Sequence, residues 1–69
     1  MNNIYVKLGE NVKKLRKARN LSQEELAELI GRDVRTIIAI EAGTRNPTIE
    51  TIQKLSQALK VKSADILPF

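Results

Sequence analysis

Apolar residues recur with helical spacing over the first part of the chain. Four of them follow one another at steps of four, four and three residues: Ile4, Leu8, Val12 and Leu15. That spacing is typical of one buried face of an α-helix, because residues three and four apart lie on the same side. We therefore predict a first helix over residues 4–19. Asn20 is its expected stop, because asparagine tolerates the left-handed conformation in which many helices end.

A second and a third helix are indicated by polar residues that cap helix ends. Ser22 and Glu25 have the spacing of a capping box, which predicts the start of a helix that ends at Gly31. Glycine there supplies the backbone freedom for a sharp turn. Asp33 then caps a third helix over residues 34–42. The residues expected to face inward on these two helices are Leu26, Ala27, Ile30, Ile37 and Ile40.

The rest of the chain predicts two further helices. Thr48 caps a fourth helix that runs through Lys60, and a short last helix spans residues 64–67 before Pro68. The residues expected to face inward on the fourth helix are Ile49, Ile52, Leu55 and Leu59. Five helices with short connections and no strand pattern predict an all-α fold class, and we expect residues 1–69 to form a single domain.

A chain of this size can bury only a small core. Apolar residues make up 42% of its 69 residues, and the two aromatic residues are Tyr5 and Phe69, so the core must be aliphatic. Small cores are marginal because little surface is buried on folding. We therefore expect a homodimer in which Ile66 or Phe69 meets its counterpart across a two-fold axis. The alternative is that this tail closes the core of the monomer.

Composition also excludes several classes of function. The chain has neither cysteine nor histidine, which removes thiol nucleophiles, histidine acid–base chemistry and the usual metal sites. Neither a constellation of nucleophile and base nor a glycine-rich phosphate loop is present. We expect no enzyme, no cofactor and no metal. No apolar run approaches the roughly 20 residues that span a bilayer, so we expect a soluble cytoplasmic protein without membrane contact.

The formal net charge is +4, and the basic residues are concentrated near the N-terminus. The first 20 positions contain a single acidic residue, Glu10, and six basic residues: Lys7, Lys13, Lys14, Arg16, Lys17 and Arg19. Such a run usually does no more than solvate a helix. Lys13, Lys14 and Lys17 are therefore expected to provide long-range attraction to nucleic acid rather than direct contacts.

Residues 22–42 have the layout of a helix-turn-helix: a short helix, a turn containing glycine and a second short helix. Several positions in and around it are specific when taken together: Ser22-Gln23, Leu26-Ala27, Gly31, Ile37, Ile40-Glu41, Gly43 and Pro47. This combination closely resembles the Cro-type (Xre-like) helix-turn-helix repressor family, and the resemblance covers nearly the whole chain. It implies a compact five-helix, lambda-repressor-like domain that binds operator DNA as a two-fold dimer, with the third helix in the major groove.

On this resemblance, base contacts would come from the outward face near the start of the third helix: Val34, Arg35, Thr36, Ile38 and Ala39. Arg35 is the strongest candidate because a guanidinium can bond O6 and N7 of guanine together. The alternatives are a backbone contact or a solvated side chain. Ile38 and Ala39 depart from the polar residues common in the family. They could contact thymine methyl groups or form a surface for a protein partner.

The candidate phosphate contacts are six polar side chains: Arg16, Gln23, Arg32, Thr44, Arg45 and Asn46. Gln23 matches a family position that contacts phosphate beside a positive helix N-terminus, although it could merely suit a first turn. Arg16 and Glu41 match a pair in which an arginine of the first helix meets a glutamate of the third. That pair would either direct the guanidinium toward phosphate or be purely structural.

The function that these observations favour is sequence-specific binding of double-stranded DNA by a transcriptional regulator, most simply a repressor. The competing hypothesis is a protein-interaction module, for example an antitoxin-like partner that uses Ile38 and Ala39. Replacing Arg35 with alanine distinguishes the two hypotheses. If the protein is a DNA-binding regulator, the change should abolish its sequence preference. If it is a protein-interaction module, the change should leave the binding of the partner intact.

Overall fold

The fold consists of five α-helices in the computed structural model, which describes residues 3–69. The helices are α1 (Ile4–Ala18), α2 (Gln23–Ile30), α3 (Val34–Ala42), α4 (Ile49–Leu59) and α5 (Ser63–Ile66). No strand occurs within these residues. The predicted all-α fold class is confirmed, and the predicted helix ends coincide with the observed ones or differ from them by one residue. None of the described helices is both long and apolar enough to cross a membrane.

The predicted caps explain where the helices begin and end. Both bonds of the capping box are present: the Ser22 hydroxyl accepts from the Glu25 amide at 3.0 Å, and the Glu25 carboxylate accepts from the Ser22 amide at 2.8 Å. Gly31 has φ of 69° and Asn20 has φ of 58°, both in the left-handed region. Local chemistry therefore determines these boundaries before any tertiary contact is considered.

α1 and α2 both pack against α3, α4 packs against α2, and α5 packs against α4 and α1. The buried apolar core consists of Leu8, Val12, Leu26, Ala27, Ile30, Ile37, Ile40, Leu55, Leu59 and Ile66. All five inward residues predicted for the second and third helices belong to it. The predicted stripe of α1 is buried at Leu8 and Val12 and half-buried at Leu15.

Two residues that were predicted to lie in the core are exposed instead, so these two predictions are wrong. Ile4 is 49% exposed because it is the first residue of α1, one turn before the buried part of that helix. Ile49 is 86% exposed. The buried face of α4 is centred near Leu55 and Leu59, and at about 100° per residue Ile49 lies roughly 90° away from that centre. Position 49 therefore faces solvent.

The C-terminal segment closes the core of the protomer itself. Ile66 is fully buried, and the side-chain amide of Asn11 donates to its carbonyl oxygen at 3.0 Å. Arg19 likewise donates from Nε to the Leu59 carbonyl oxygen at 2.9 Å. The expectation that Ile66 contacts a second subunit is therefore wrong, because its side chain lies inside the protomer. Phe69 remains 87% exposed.

Gly9 allows α1 and α3 to approach each other closely. A Cβ atom added there would collide with the carbonyl oxygen of Ile40 and would lie 2.8 Å from that of Glu41. Both neighbours are backbone atoms of α3, so neither can rotate away. The glycine thus favours close packing of the two helices, although it lowers the helix propensity of α1 by about 1 kcal/mol relative to alanine.

We predict that Gly9→Ala lowers the free energy of unfolding by about 1–3 kcal/mol, because the gain in helix propensity is smaller than the cost of overpacking. Urea denaturation followed by circular dichroism measures the change. Lys14 is exposed on the same helix and provides the matched comparison. At that position, the free energy of unfolding of the Lys14→Ala protein should exceed that of the Lys14→Gly protein by about 1 kcal/mol. A Gly9→Ala protein as stable as the original would contradict this account of the contact.

Candidate nucleic-acid interface

The turn between α2 and α3 sets the direction in which α3 leaves. After α2 ends, the amide of Gly31 donates to the Glu28 carbonyl at 3.1 Å, and that of Arg32 donates to the Ala27 carbonyl at 2.9 Å. These bonds satisfy carbonyl groups that the end of a helix leaves without partners. Asp33 then caps α3, and its carboxylate accepts from the Arg35 amide at 2.8 Å. These local hydrogen bonds fix the end of α2 and the start of α3, so the connection between the two helices is short and has a defined conformation.

Core packing determines which side of α3 is presented to solvent. Ile37 and Ile40 are buried against α1 and α2, so the opposite side carries the exposed residues Arg35, Ile38 and Ala42. Among the residues predicted to contact bases, Arg35 and Ile38 are exposed, and Thr36 and Ala39 are half-buried. Val34 is half-buried and packs against the core. This packing disfavours Val34 as a base contact.

Arg35 is held by the residue that caps its own helix. Its Nε atom lies 3.1 Å from Oδ1 of Asp33, and its Nη2 atom lies 3.2 Å from Oδ2. The side chains remain 86% and 54% exposed respectively. The hydrogen bonds from Arg35 lower the pKa of Asp33 below its usual value, and Asp33 in turn raises the pKa of Arg35. Both groups are therefore charged at neutral pH.

The predicted pair of Arg16 and Glu41 is present and buried. Arg16 donates from Nε to Oε2 of Glu41 at 2.7 Å and from Nη2 to Oε1 at 3.2 Å, and the two side chains are 9% and 4% exposed. The hydrogen bond to Glu41 raises the pKa of Arg16. Arg16 also donates from Nη1 to the Leu21 carbonyl oxygen at 2.7 Å. A guanidinium engaged on all three nitrogens and so little exposed is disfavoured as a phosphate contact. The geometry supports the structural alternative.

Gln23 joins the same carboxylate. Its side-chain Nε2 donates to Oε1 of Glu41 at 3.1 Å, while the residue stays half-buried at the start of α2. The amide side chain is therefore held beside the N-terminal end of α2, where backbone N–H groups carry partial positive charge. Gln23 therefore lies where an anion would be favoured, and its side chain is held in place by its hydrogen bond to Glu41 of α3.

The loop between α3 and α4 brings together most of the remaining predicted polar residues. Arg45 donates from Nη1 to the hydroxyl oxygen of Thr36 at 3.1 Å, and the Thr44 hydroxyl donates to the Ala39 carbonyl at 3.2 Å. A small cleft of about 80 Å³ is bordered by side chains that include Arg32, Thr36, Arg45, Asn46 and Thr48. Arg32, Arg45 and Asn46 are exposed. Cationic and hydrogen-bonding groups thus lie side by side next to the exposed face of α3.

Some of these contacts were not predicted from the sequence. Asp33 was expected only as a cap, and its spacing of two residues from Arg35 was the available signal for the second contact. The bonds from Arg16 and Arg19 to backbone carbonyls of Leu21 and Leu59 had no such signal, because every residue has a carbonyl group.

Comparison with known proteins gives consistent results. A family model described as helix-turn-helix (HTH_3) matches residues 12–66. The control protein C.BamHI of Bacillus amyloliquefaciens is 41% identical over 69 residues, which is 99% of this chain and 85% of that protein. The cryptic phage CTXphi transcriptional repressor RstR of Vibrio cholerae is 39% identical over 59 residues, covering 86% of this chain and 53% of the repressor.

Solved structures support the same relationship. The restriction–modification controller protein C.AhdI from Aeromonas hydrophila is 38% identical and superimposes with a TM-score of 0.88. The match covers 91% of this chain and 96% of the controller. The similarity therefore extends over the whole arrangement of helices and is not limited to residues 22–42.

We predict that Glu41→Gln lowers the free energy of unfolding by about 3–5 kcal/mol, because it leaves the buried guanidinium of Arg16 without a counter-charge. Chemical denaturation measures the loss. Glu10→Gln provides the control, since Glu10 is exposed on α1 and its replacement should change the stability by no more than about 0.5 kcal/mol.

A second variant keeps the test decisive if Glu41→Gln fails to fold. Replacing Arg16 with methionine and Glu41 with leucine together removes both charges, and apolar replacements of buried ion pairs are often neutral. This double variant should recover most of the lost stability. Equal destabilisation by the single and double changes would show that the charges are not the cause.

Proposed function

The chain belongs to the HTH_3 helix-turn-helix family, and we propose that it is a transcriptional regulator that binds specific sequences in double-stranded DNA, most simply as a repressor. The observation that carries the proposal is the exposed side of α3 with Arg35 and Ile38, bordered by the polar loop of Arg45. An α-helix with its side chains is about 10–12 Å in diameter, which fits a major groove about 12 Å wide, and the nine residues of α3 extend about 13.5 Å along it.

Within this proposal, Arg35 contacts guanine, and Ile38 and Ala39 contact thymine methyl groups. Ile38 is 46% exposed, which leaves enough apolar surface for such a contact. Thr36 lies beside them, and its hydroxyl oxygen already accepts a hydrogen bond from Arg45. Thr36 and Arg45 therefore approach DNA as a pair, one on the helix and one on the loop.

The phosphate contacts are proposed to flank α3 on both sides. Gln23 and the amide groups at the start of α2 form one side, and Arg32, Thr44, Arg45 and Asn46 form the other. The net charge of +4 adds attraction that does not depend on sequence. In this arrangement backbone contacts position the protein and the face of α3 supplies specificity. Within this proposal, the regulator acts in the cytoplasm.

We further propose that the regulator works as a homodimer whose contact includes Phe69. This side chain is aromatic and 87% exposed, and burial of an aromatic ring contributes strongly to association. A two-fold dimer would place two α3 helices about 34–36 Å apart on one side of DNA. Its operator would then have two related half-sites.

We predict that a duplex enriched from a randomised pool binds the protein about 10³-fold more tightly than a scrambled duplex. Arg35→Ala should reduce that ratio by about 5- to 160-fold for each half-site, which corresponds to the 1–3 kcal/mol of one lost bidentate base contact. Fluorescence anisotropy at two salt concentrations measures both affinities. Lys13→Ala is the control, because loss of an exposed helix cation should weaken binding to both duplexes equally.

Failure to enrich any sequence, or equal weak binding to both duplexes, would contradict the proposal. That outcome would favour the protein-interaction hypothesis, in which the apolar surface of Ile38 and Ala39 binds a partner. Replacing Ile38 with serine would then abolish partner binding, whereas Arg35→Ala would leave it intact.

We predict that Phe69→Ser raises the dimer dissociation constant by at least about 10-fold, because it removes an aromatic contact of the kind that dominates interfaces. Sedimentation equilibrium measures the constant. Leu29→Ser is the matched control, since Leu29 is 59% exposed on α2 and lies next to α4 rather than in the C-terminal segment. Equal dissociation constants for the original protein and Phe69→Ser would exclude Phe69 from the dimer contact.

A further inference from the structure

The second contact of Asp33 suggests a role beyond capping α3. We propose that Asp33 positions Arg35 for guanine, so that the two residues form one preformed guanine-recognition unit. Asp33 is then a specificity-determining residue that need not touch a base itself. This inference rests on the proposed function, because it requires α3 to lie in the major groove.

The geometry of the guanidinium is the main argument. An arginine has two donor edges, one formed by Nε and Nη2 and the other by Nη1 and Nη2. Asp33 occupies the first edge through Nε at 3.1 Å and Nη2 at 3.2 Å. Nη1 and the other N–H group of Nη2, which form the second edge, make no hydrogen bond with any residue in the range 3–69 that the structure describes. Guanine offers two acceptors, O6 and N7, in the major groove, and one free edge of an arginine bonds both.

The carboxylate is itself fixed by the start of α3. Oδ1 of Asp33 accepts from the backbone amide of Arg35 at 2.8 Å and also from Nε of the same residue at 3.1 Å. Asp33 thereby connects the backbone of residue 35 to the far end of its own side chain. A long arginine side chain otherwise loses considerable rotamer freedom when it binds. Here part of that loss has already occurred in the free protein.

The negative charge also affects which partner Arg35 prefers. The pair is 86% and 54% exposed, and exposed ion pairs add little to stability, so its value lies in orientation. A carboxylate beside the guanidinium repels phosphate, whereas a guanine edge presents only neutral acceptors. Asp33 should therefore lower the affinity of Arg35 for the DNA backbone and raise its relative preference for a base.

Asp33→Asn tests the role of the charge while preserving the cap. Asparagine and aspartate are equally favourable N-caps, so the helical content and the thermal midpoint should change little. Asparagine has a single acceptor oxygen, and its NH2 group cannot accept a hydrogen bond from the guanidinium, so the bidentate contact with Arg35 is lost. Asp65→Asn is the matched control. Asp65 is an exposed carboxylate of α5 that accepts from the backbone amide of Lys62 at the start of that helix, and its replacement changes the net charge by the same amount.

The experiment is selection from a randomised duplex pool, followed by sequencing, with the original protein and the variants Asp33→Asn, Asp65→Asn and Arg35→Ala. The original protein should show one strongly preferred guanine in each half-site, and Arg35→Ala should abolish that preference. Asp33→Asn should weaken the same preference by about 3- to 10-fold and leave other positions unchanged. It should also bind a scrambled duplex more tightly than Asp65→Asn does.

Three results would overturn the inference. The guanine preference of Asp33→Asn could equal that of the original protein, or the position sensitive to Arg35→Ala could prefer another base. If the original protein itself enriches no sequence, the proposed function fails, and this inference fails with it. Asp33→Ser provides a second test should the asparagine variant fold poorly, because serine retains a capping oxygen and removes the carboxylate altogether.

Discussion

The carboxylate of Glu41 is the point on which the arrangement of the first three helices depends. It accepts from Arg16 near the end of α1 and from Gln23 at the start of α2, and it belongs to the last turn of α3. Arg16 extends the connection to the Leu21 carbonyl in the loop between α1 and α2. Burying charges is costly, and a pair is tolerated only where further hydrogen bonds satisfy it. Here those further bonds come from each element that must be aligned.

This cluster acts together with Gly9 on the same part of α3. Gly9 brings the backbone of α1 against the carbonyl groups of Ile40 and Glu41, while the ion pair holds the Glu41 side chain. The C-terminal half of α3 is thus held by α1 from two directions. The N-terminal half is held by its cap and carries the exposed Arg35. A helix that enters a groove in a fixed orientation needs one part that is held rigidly by the scaffold and another part that is accessible to the ligand.

Much of the fold could be predicted from the sequence because its boundaries are local. The capping box of Ser22 and Glu25 and the left-handed Gly31 depend on residues close in the chain, and both occur as predicted. Periodicity was less reliable at helix ends. It indicates which side of a helix is apolar but not how far the neighbouring helix extends, which is why Ile4 and Ile49 are exposed. Nor could it decide between the core and a second subunit for Ile66.

The site was predicted less completely than the fold. The pair of Arg16 and Glu41 followed from the family resemblance, and the grouping of Thr36 with Arg45 required the path of the loop after α3. The contact of Asp33 with Arg35 depends on side-chain conformation at an exposed position, which no apolar pattern encodes. Backbone carbonyls as partners of Arg16 and Arg19 are equally invisible in a sequence.

The separation of the two sides of α3 has a consequence for how such a protein can change over time. Ile37 and Ile40 are buried, whereas Arg35 and Ile38 take no part in the core. In the proposed binding mode, substitutions at the outward positions alter recognition at little cost in stability, since surface changes usually have small effects. New specificities are thus accessible by single steps through folded intermediates. The domain is accordingly a suitable starting point for engineering sets of mutually orthogonal regulators.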